Sequence, residues 1–460
     1  MSDSTVEIQN SNVKLSYGTK FSYGLGDFAS NISWGLVSSY LLYFYTDVFG
    51  LSAAVIGTLM LTARVWDAIN DPIMGLIAER TKTRWGRFRP YILWGSIFLC
   101  IFNVLTFTVP DLQGNAKIAY AFVTYIMLGT IYTVVNLPYG ALASVMTRDA
   151  DERVSLNSFR GFFSLISSVV TGGAMIPLVK ALGHGNDAKG FSSAALVLSA
   201  IALPIFFLVF FKCKEVITPP KHEKPSLRES LDAVITNKPF LLAITNLFFV
   251  FTGLFGRLGP VVYYYIYNMH RPDLIGPLMG LFGLSTALGA IIVAFLAKRF
   301  EKIYVSIFGM IISGLGLIAI FLTPATNIPM IVALTIISSI PLGFGTPIIF
   351  SIVGDCIDYH QLKTGKRADG AIYSVMSLVT KISMTLIGVL SVTALAAIGY
   401  VANQAQTPEA IKGINIVVNL VPGIFYLLST IPFFFYKLKR EETRRIAAEL
   451  QKISKENEGR

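Results

Sequence analysis

Residues 192–211 read SSAALVLSAIALPIFFLVFF, twenty positions without a charge. Wound as an α-helix at 1.5 Å per residue, such a run is about 30 Å long, the thickness of a bilayer's hydrocarbon core. One run of this kind fits a buried core helix, but a dozen along one chain do not. Candidate spans cover 26–48, 52–78, 90–110, 117–145, 157–182 and 188–211 in the first half, and 238–268, 275–297, 303–323, 328–354, 370–400 and 411–436 in the second. Composition agrees: the chain is 53% hydrophobic and 14% charged, with a mean hydropathy of +0.62, where a soluble domain is about 25% charged. The expected class is an all-α integral membrane protein of twelve transmembrane helices. The opening MSDSTVEIQNSNVK is polar and has no compact apolar core, so it does not read as a cleavable signal.

Charge sets the orientation. With both termini inside, the cytoplasmic segments hold 29 of the 38 Lys and Arg and the opposite side five, an asymmetry that satisfies the positive-inside rule. The net charge of +11 is therefore a topology signal and gives no reason to expect nucleic-acid binding. The polar segment FKCKEVITPPKHEKPSLRESLDAVITNKP splits the spans six and six. ERTKTRWGRFRP after the second span has a degenerate echo, AKRFEK, after the eighth. The expected plan is a first six-helix bundle over 1–211, a cytoplasmic linker over 212–237, a second bundle over 238–436 and a basic tail over 437–460. Transporters of this plan bind substrate near the membrane midplane. The tail reads as a basic amphipathic helix drawn to anionic lipid, and Cys100, Cys213 and Cys356 as reduced, structural thiols.

Charges inside a span are expensive, about 2.5–3.5 kcal/mol each at the bilayer centre. Yet the second span contains RVWDAINDPIMG. Arg64, Asp67 and Asp71 stand at i, i+3 and i+7, on one helix face, with Asn70 beside them. That face belongs in a cavity or against a partner. Two carboxylates and an amide are the hard oxygen donors a small cation needs; one carboxylate would also carry a proton, and Arg64 pairing with one aspartate would merely fix packing. The fourth span has a second polar face, Tyr125, Tyr132, Asn136 and Gly140 with Thr133 adjacent. Its rings, amide and hydroxyls suit a sugar, or else form a packing seam. Asp27, Asn31 and Tyr40 are similar in the first span. Lys381 shares a face with Ser374 and Ser377 and needs a counter-charge, and Arg160 lies in the fifth span. GLGDFA is too weak a glycine pattern for a nucleotide site, and no nucleophile–base pair, metal cluster or phosphate loop suggests an enzyme.

FSYGLGDF, YFYTDVFGLS, WDAINDPIMG, RTKTRWGRFRPYIL, TVVNLPYG, GDCIDYHQLKTGKR and GYVANQAQTPE together resemble the glycoside–pentoside–hexuronide cation symporters of the major facilitator fold, from about Leu15 to Tyr436. The resemblance implies a cation site at Asp67, Asn70, Asp71 and Thr133, with Na⁺ at Asp67 and Asp71 if the ion is a metal. It implies substrate contacts from Asn31, Arg64, Tyr132, Asn136, Arg160, Lys381 and Ser377, and a cytoplasmic gate of Arg153, Asp355, Asp358 and Arg367. It also implies a bacterial inner membrane, no cofactor beyond the coupling ion, Na⁺ or H⁺, and a monomer.

Where melibiose permease has two sugar-binding carboxylates, this chain has Asn31 and Asn136, and Gly140 replaces its stacking tryptophan. α-Galactosides are therefore not expected, and the asparagines are similar to glucuronide-type members. With Arg160 and Lys381 nearby, that exchange favours an anionic sugar, a hexuronide or a sulfosugar, over a neutral pentoside. The expected activity is cation-coupled uptake by alternating access; a lysolipid or other amphiphile carrier of the same fold is the alternative.

Overall fold

Polar residues at the edges of the apolar runs start the helices. Ser16, Asn186, Asn237, Asn327 and Thr407 each accept a hydrogen bond from the backbone N–H three residues on, satisfying a donor that a helix start leaves open. The computed structural model describes residues 14–147, 150–216, 234–365, 369–402 and 404–458. Among these the chain is helical, with one isolated bridge between Thr83 and Gly86. It divides into two compact units, Met1–His222 and Glu223–Arg460.

The first unit holds α1 (Tyr17–Tyr43), α2 (Ala53–Arg80), α3 (Arg89–Thr106), α4 (Gly114–Met146), α5 (Ala150–Gly183) and α6 (Asp187–Lys212). Here α1 packs on α5 and α6, α3 on α4 and α6, and α2 on α4. The second unit holds α7 (Lys238–Leu258), α8 (Ile275–Arg299), α9 (Lys302–Leu322), α10 (Ile328–Leu342), α11 (Gly345–Thr364), α12 (Asp369–Ala397), α13 (Pro408–Asn415), α14 (Val421–Leu428) and α15 (Arg440–Glu458). Its packing repeats the first unit helix for helix: α7 on α12 and α14, α9 on α10 and α14, α8 on α10.

The repeat extends to single residues. The first helix of each unit runs on into a π-helical turn, Phe44–Val48 and, after a short break, Tyr264–Asn268. Each turn is followed by a left-handed residue, Gly50 at φ 70° and His270 at φ 53°. In each the next N–H returns to a tyrosine carbonyl, Leu51 to Tyr45 at 2.8 Å and Arg271 to Tyr265 at 3.0 Å. The following helices then open on VIGTLM (55–60) and LIGPLM (274–279).

Ten described helical stretches are long and apolar enough to cross a membrane. α1 and α2, of 27 and 28 residues, fall outside that group and carry Asp27 and Asn31, and Arg64, Asp67, Asn70 and Asp71. Several boundaries differ from expectation. α1 starts at Tyr17 because Ser16 caps it and Lys20 pairs with Glu152 at 3.0 Å. α11 runs to Thr364, past the expected end at 354, because Ile352, Val353, Cys356 and Ile357 keep a buried stripe going until Gly365 turns left-handed at φ 71°. Asp355 and Asp358 are therefore helical.

The tail also differs. α15 docks on α11, with Ile446 buried in the core of the second unit and Leu450 packed against it. Ile446 and Leu450 therefore face protein. Cys100, Cys213 and Cys356 are free and buried. Just beyond α6, burial pushes the Cys213 thiol up to about 12.

Candidate functional site

The polar face of α2 meets α4. Asp67 and Asn70 are 8% and 9% exposed, deep for an acid and an amide. Asp67 Oδ2 accepts from Arg64 Nη1 at 3.0 Å, an ion pair within one helix. Asp71 Oδ1 accepts from the Thr133 hydroxyl at 2.9 Å. A second tie between these helices runs from Trp66 Nε1 to Thr130 Oγ1 at 2.8 Å. Of the four residues expected around a cation, Asp67, Asp71 and Thr133 lie where α2 packs on α4, and Asn70 is buried on α2 between the two aspartates in sequence. Among the described residues Asn70 Nδ2 has no hydrogen-bond partner; a half-turn of the amide presents its oxygen instead, the atom a cation would take. Gly129 makes room for the cluster, because a Cβ there would lie 3.2 Å from Asp67 Oδ1.

A second cluster joins α1 to α5. Asp27, 5% exposed, accepts from Arg160 Nε at 2.7 Å and from Asn31 Nδ2 at 2.8 Å. Asn31 Nδ2 also reaches Ser164 Oγ at 3.3 Å. The Arg160 guanidinium lies over the Tyr139 ring at 5.4 Å, and Tyr139 stacks on Tyr23 at 4.9 Å.

Between the clusters stands Trp34, stacked on Tyr132 with ring centroids 4.6 Å apart, while Arg64 lies 5.4 Å from the Trp34 ring. Asn136 is half-buried one turn beyond Tyr132 on α4. The arrangement offers carboxylates and a hydroxyl at one end, an aromatic slab in the middle, and paired hydrogen-bonding groups at the other.

Lys381 and Ser377 lie on α12 of the second unit, the lysine half-buried and the serine exposed. Of the expected gate, Asp355 pairs with Lys302 of its own unit at 2.7 Å, a partner the sequence reading did not name, and Asp358 is half-buried on the same helix. Arg367 and the Arg153 side chain lie outside the described residues.

Three members of the site were missed or undervalued in the sequence. Trp34 has a signal, since Asp27, Asn31 and Trp34 stand at i, i+4 and i+7 on one face of α1. Gly129 lies one turn before Thr133. The pairing of Asp27 with Arg160, 133 residues apart, has no local signal. That pair changes the charge count. The sequence left Arg160 to the second-span aspartates or to a substrate oxygen; its partner is Asp27 of α1, as that of Arg64 is Asp67.

Residues 22–440 match the family described as MFS/sugar transport protein. The chain is 37% identical to the isoprimeverose transporter of Lactiplantibacillus pentosus, over 96% of this chain and 93% of that one. It is 31% identical to a glucuronide carrier protein homolog of Escherichia coli (strain K12), over 96% and 97%. The fold superposes with a TM-score of 0.66 on a bacterial homolog of the human lysosomal transporter Spinster, 14% identical, over 91% and 98% of the two chains. The chain is therefore a transporter and not an enzyme, and it belongs to the glycoside–pentoside–hexuronide symporters of the major facilitator superfamily.

Proposed function

We propose that this protein imports a neutral glycoside together with Na⁺ by alternating access, as a monomer in a bacterial inner membrane with both termini in the cytoplasm. The observation that carries the reading is the α2–α4 cluster, in which Asp67 and Asn70, buried, and Asp71 and Thr133, half-buried, gather oxygen donors at one end of an aromatic slab. Na⁺ is favoured over H⁺ because a proton needs one carboxylate, whereas here a hydroxyl and an amide stand beside two. Asn31, Asn136, Tyr132 and Arg160 are then the sugar-side groups of the first unit, and Lys381 and Ser377 on α12 are the candidates of the second.

The neutral class is preferred for an electrostatic reason. Within the first unit Arg64, Arg160, Asp27, Asp67 and Asp71 sum to one negative charge, which one cation cancels, so no unmatched positive charge is left there to hold an anionic sugar. The relatives' names span both classes, a transporter of isoprimeverose and a carrier homolog for glucuronide, so the charge count decides between them. Cation and sugar are expected to raise each other's affinity by a coupling of about 1–3 kcal/mol.

Uptake into right-side-out vesicles tests the reading with isoprimeverose, methyl β-D-xyloside, methyl β-D-glucuronide and sulfoquinovose, each with and without Na⁺ at fixed pH. The expected result is Na⁺-stimulated accumulation of a neutral member, lost in Asp67→Asn and in Asp71→Asn. Preference for the anionic members overturns the substrate class; concentrative uptake in both variants overturns the coupling site.

A further inference from the structure

Arg64 serves two neighbours at once. Its Nη1 lies 3.0 Å from Asp67 Oδ2, and its guanidinium carbon 5.4 Å from the centroid of the Trp34 ring. Trp34 stacks on Tyr132 at 4.6 Å with 27° between the planes. The residue after Tyr132 is Thr133, whose hydroxyl is bonded to Asp71. The contacts run from one carboxylate of α2, through α1, to α4 and back to the other carboxylate of α2. A chain of side chains that begins and ends on the cation site passes through the one stacked aromatic pair between that site and the Asp27–Asn31–Arg160 cluster.

The energetics give this chain a direction. A guanidinium buried in an apolar span is held by whatever negative potential surrounds it, here a carboxylate and the face of an indole. A monovalent cation arriving at Asp67 and Asp71 competes with Arg64 for Asp67 Oδ2. The indole is the other partner within reach, so the guanidinium's hold on Trp34 tightens as its hold on Asp67 loosens. Trp34 is half-buried and leans on Tyr132, so fixing its plane fixes the slab. A flat, fixed aromatic face is what the C–H side of a pyranose stacks on, and ordering it before the sugar arrives lowers the cost of binding.

From this we propose that Trp34 is the positioning residue that carries cation occupancy at Asp67 and Asp71, through Arg64, to the Trp34–Tyr132 sugar platform. The proposal rests on the symporter reading above. Gly140 brings no ring to the site, where a Cβ would stand in ordinary contact with Arg160 Nη1 at 3.8 Å, and the stacking surface comes from α1 instead.

The test uses purified full-length protein in nanodiscs with Na⁺ alone as the probe, choline as the control cation, and a pH step in Na⁺-free buffer as the proton arm. The chain has four tryptophans, Trp34, Trp66, Trp85 and Trp94. Cation addition is expected to shift the intrinsic emission saturably. Trp34→Phe should remove about nine-tenths of that shift while calorimetric cation affinity stays within about 2-fold. Trp66→Phe and Trp94→Phe should keep the shift, and Arg64→Lys should weaken it, since a lysine lacks the flat fork that reaches both partners. Trp34→Tyr serves if the phenylalanine variant does not fold. A shift that survives in Trp34→Phe, or cation binding with no change at Trp34, overturns the relay and leaves the cation site standing. Cation binding that is unaffected in Asp67→Asn and Asp71→Asn overturns the site reading itself.

Discussion

Arg64 and Arg160 solve the same problem in two ways. A guanidinium keeps its charge in an apolar span, so the fold must bring it an acceptor, and for these two the acceptor is a carboxylate. Arg64 finds Asp67 three residues along its own helix, and that pair exists as soon as α2 forms. Arg160 takes Asp27 from α1 at 2.7 Å, and its pair exists only once α1 and α5 have docked. The second pair is thus a tertiary contact as well as a charge balance. Asp27→Asn removes the carboxylate and leaves a guanidinium whose side chain is one-third exposed. Breaking a fully buried pair costs about 3–5 kcal/mol, and partial exposure of Arg160 brings the expected loss nearer to about 1–3 kcal/mol. The apparent Tm of purified Asp27→Asn should fall by several degrees, and uptake by at least tenfold. Asp27→Asn with Arg160→Gln should regain thermal stability without regaining uptake. Recovery of uptake in the double variant would mean that the pair only holds helices together.

At the scale of elements, glycine decides which helices touch. A Cβ on Gly289 of α8 would lie 1.8 Å from the Ile340 carbonyl oxygen of α10. One on Gly343, just past the end of α10, would lie 2.1 Å from the Thr286 oxygen of α8. Both obstacles are backbone, so only separation of the helices relieves them, and helices in lipid depend on such close packing. Gly289→Ala should therefore cost more than the about 1–3 kcal/mol of ordinary overpacking, read as loss of the monodisperse peak in detergent. Gly57→Ala and Gly75→Ala, with nothing within 4 Å of the added atom, should leave that peak unchanged.

These elements differ in how far the sequence reveals them. Runs such as 192–211 announce a span because length and apolarity are local properties. The ion pair and the Asp67–Asp71 face were also legible, through spacing on one helix. The long reach of α11 and the docking of α15 were not, because each buries its apolar residues, Ile357 and Ile446 among them, in a core the two helices share. Trp34 went unread for a related reason. A single tryptophan in a span looks like any lipid-facing ring until Tyr132 and Arg64 are placed beside it.

At the scale of the whole molecule, the two units share a framework and differ in chemistry. The π-helical turns, the left-handed residues after them and the VIGTLM and LIGPLM openings bring α2 and α8 into register. In that register Arg64, Asp67, Asn70 and Asp71 correspond to Gly283, Thr286, Gly289 and Ala290. Where the first unit places carboxylates between α2 and α4, the second closes α8 onto α10, and Thr286 and Gly289 are the residues in closest contact with it. The repeat has thus filled one of two equivalent loci with backbone. A molecule with one such locus should move one cation per sugar. In proteoliposomes with an imposed Na⁺ gradient and the membrane potential clamped to zero, the limiting sugar gradient should then equal the Na⁺ gradient, and not its square. A tenfold Na⁺ gradient that sustains about tenfold accumulation fits one cation. Accumulation approaching a hundredfold would require a second cation and would show that the second unit, despite its closed α8–α10 contact, holds one.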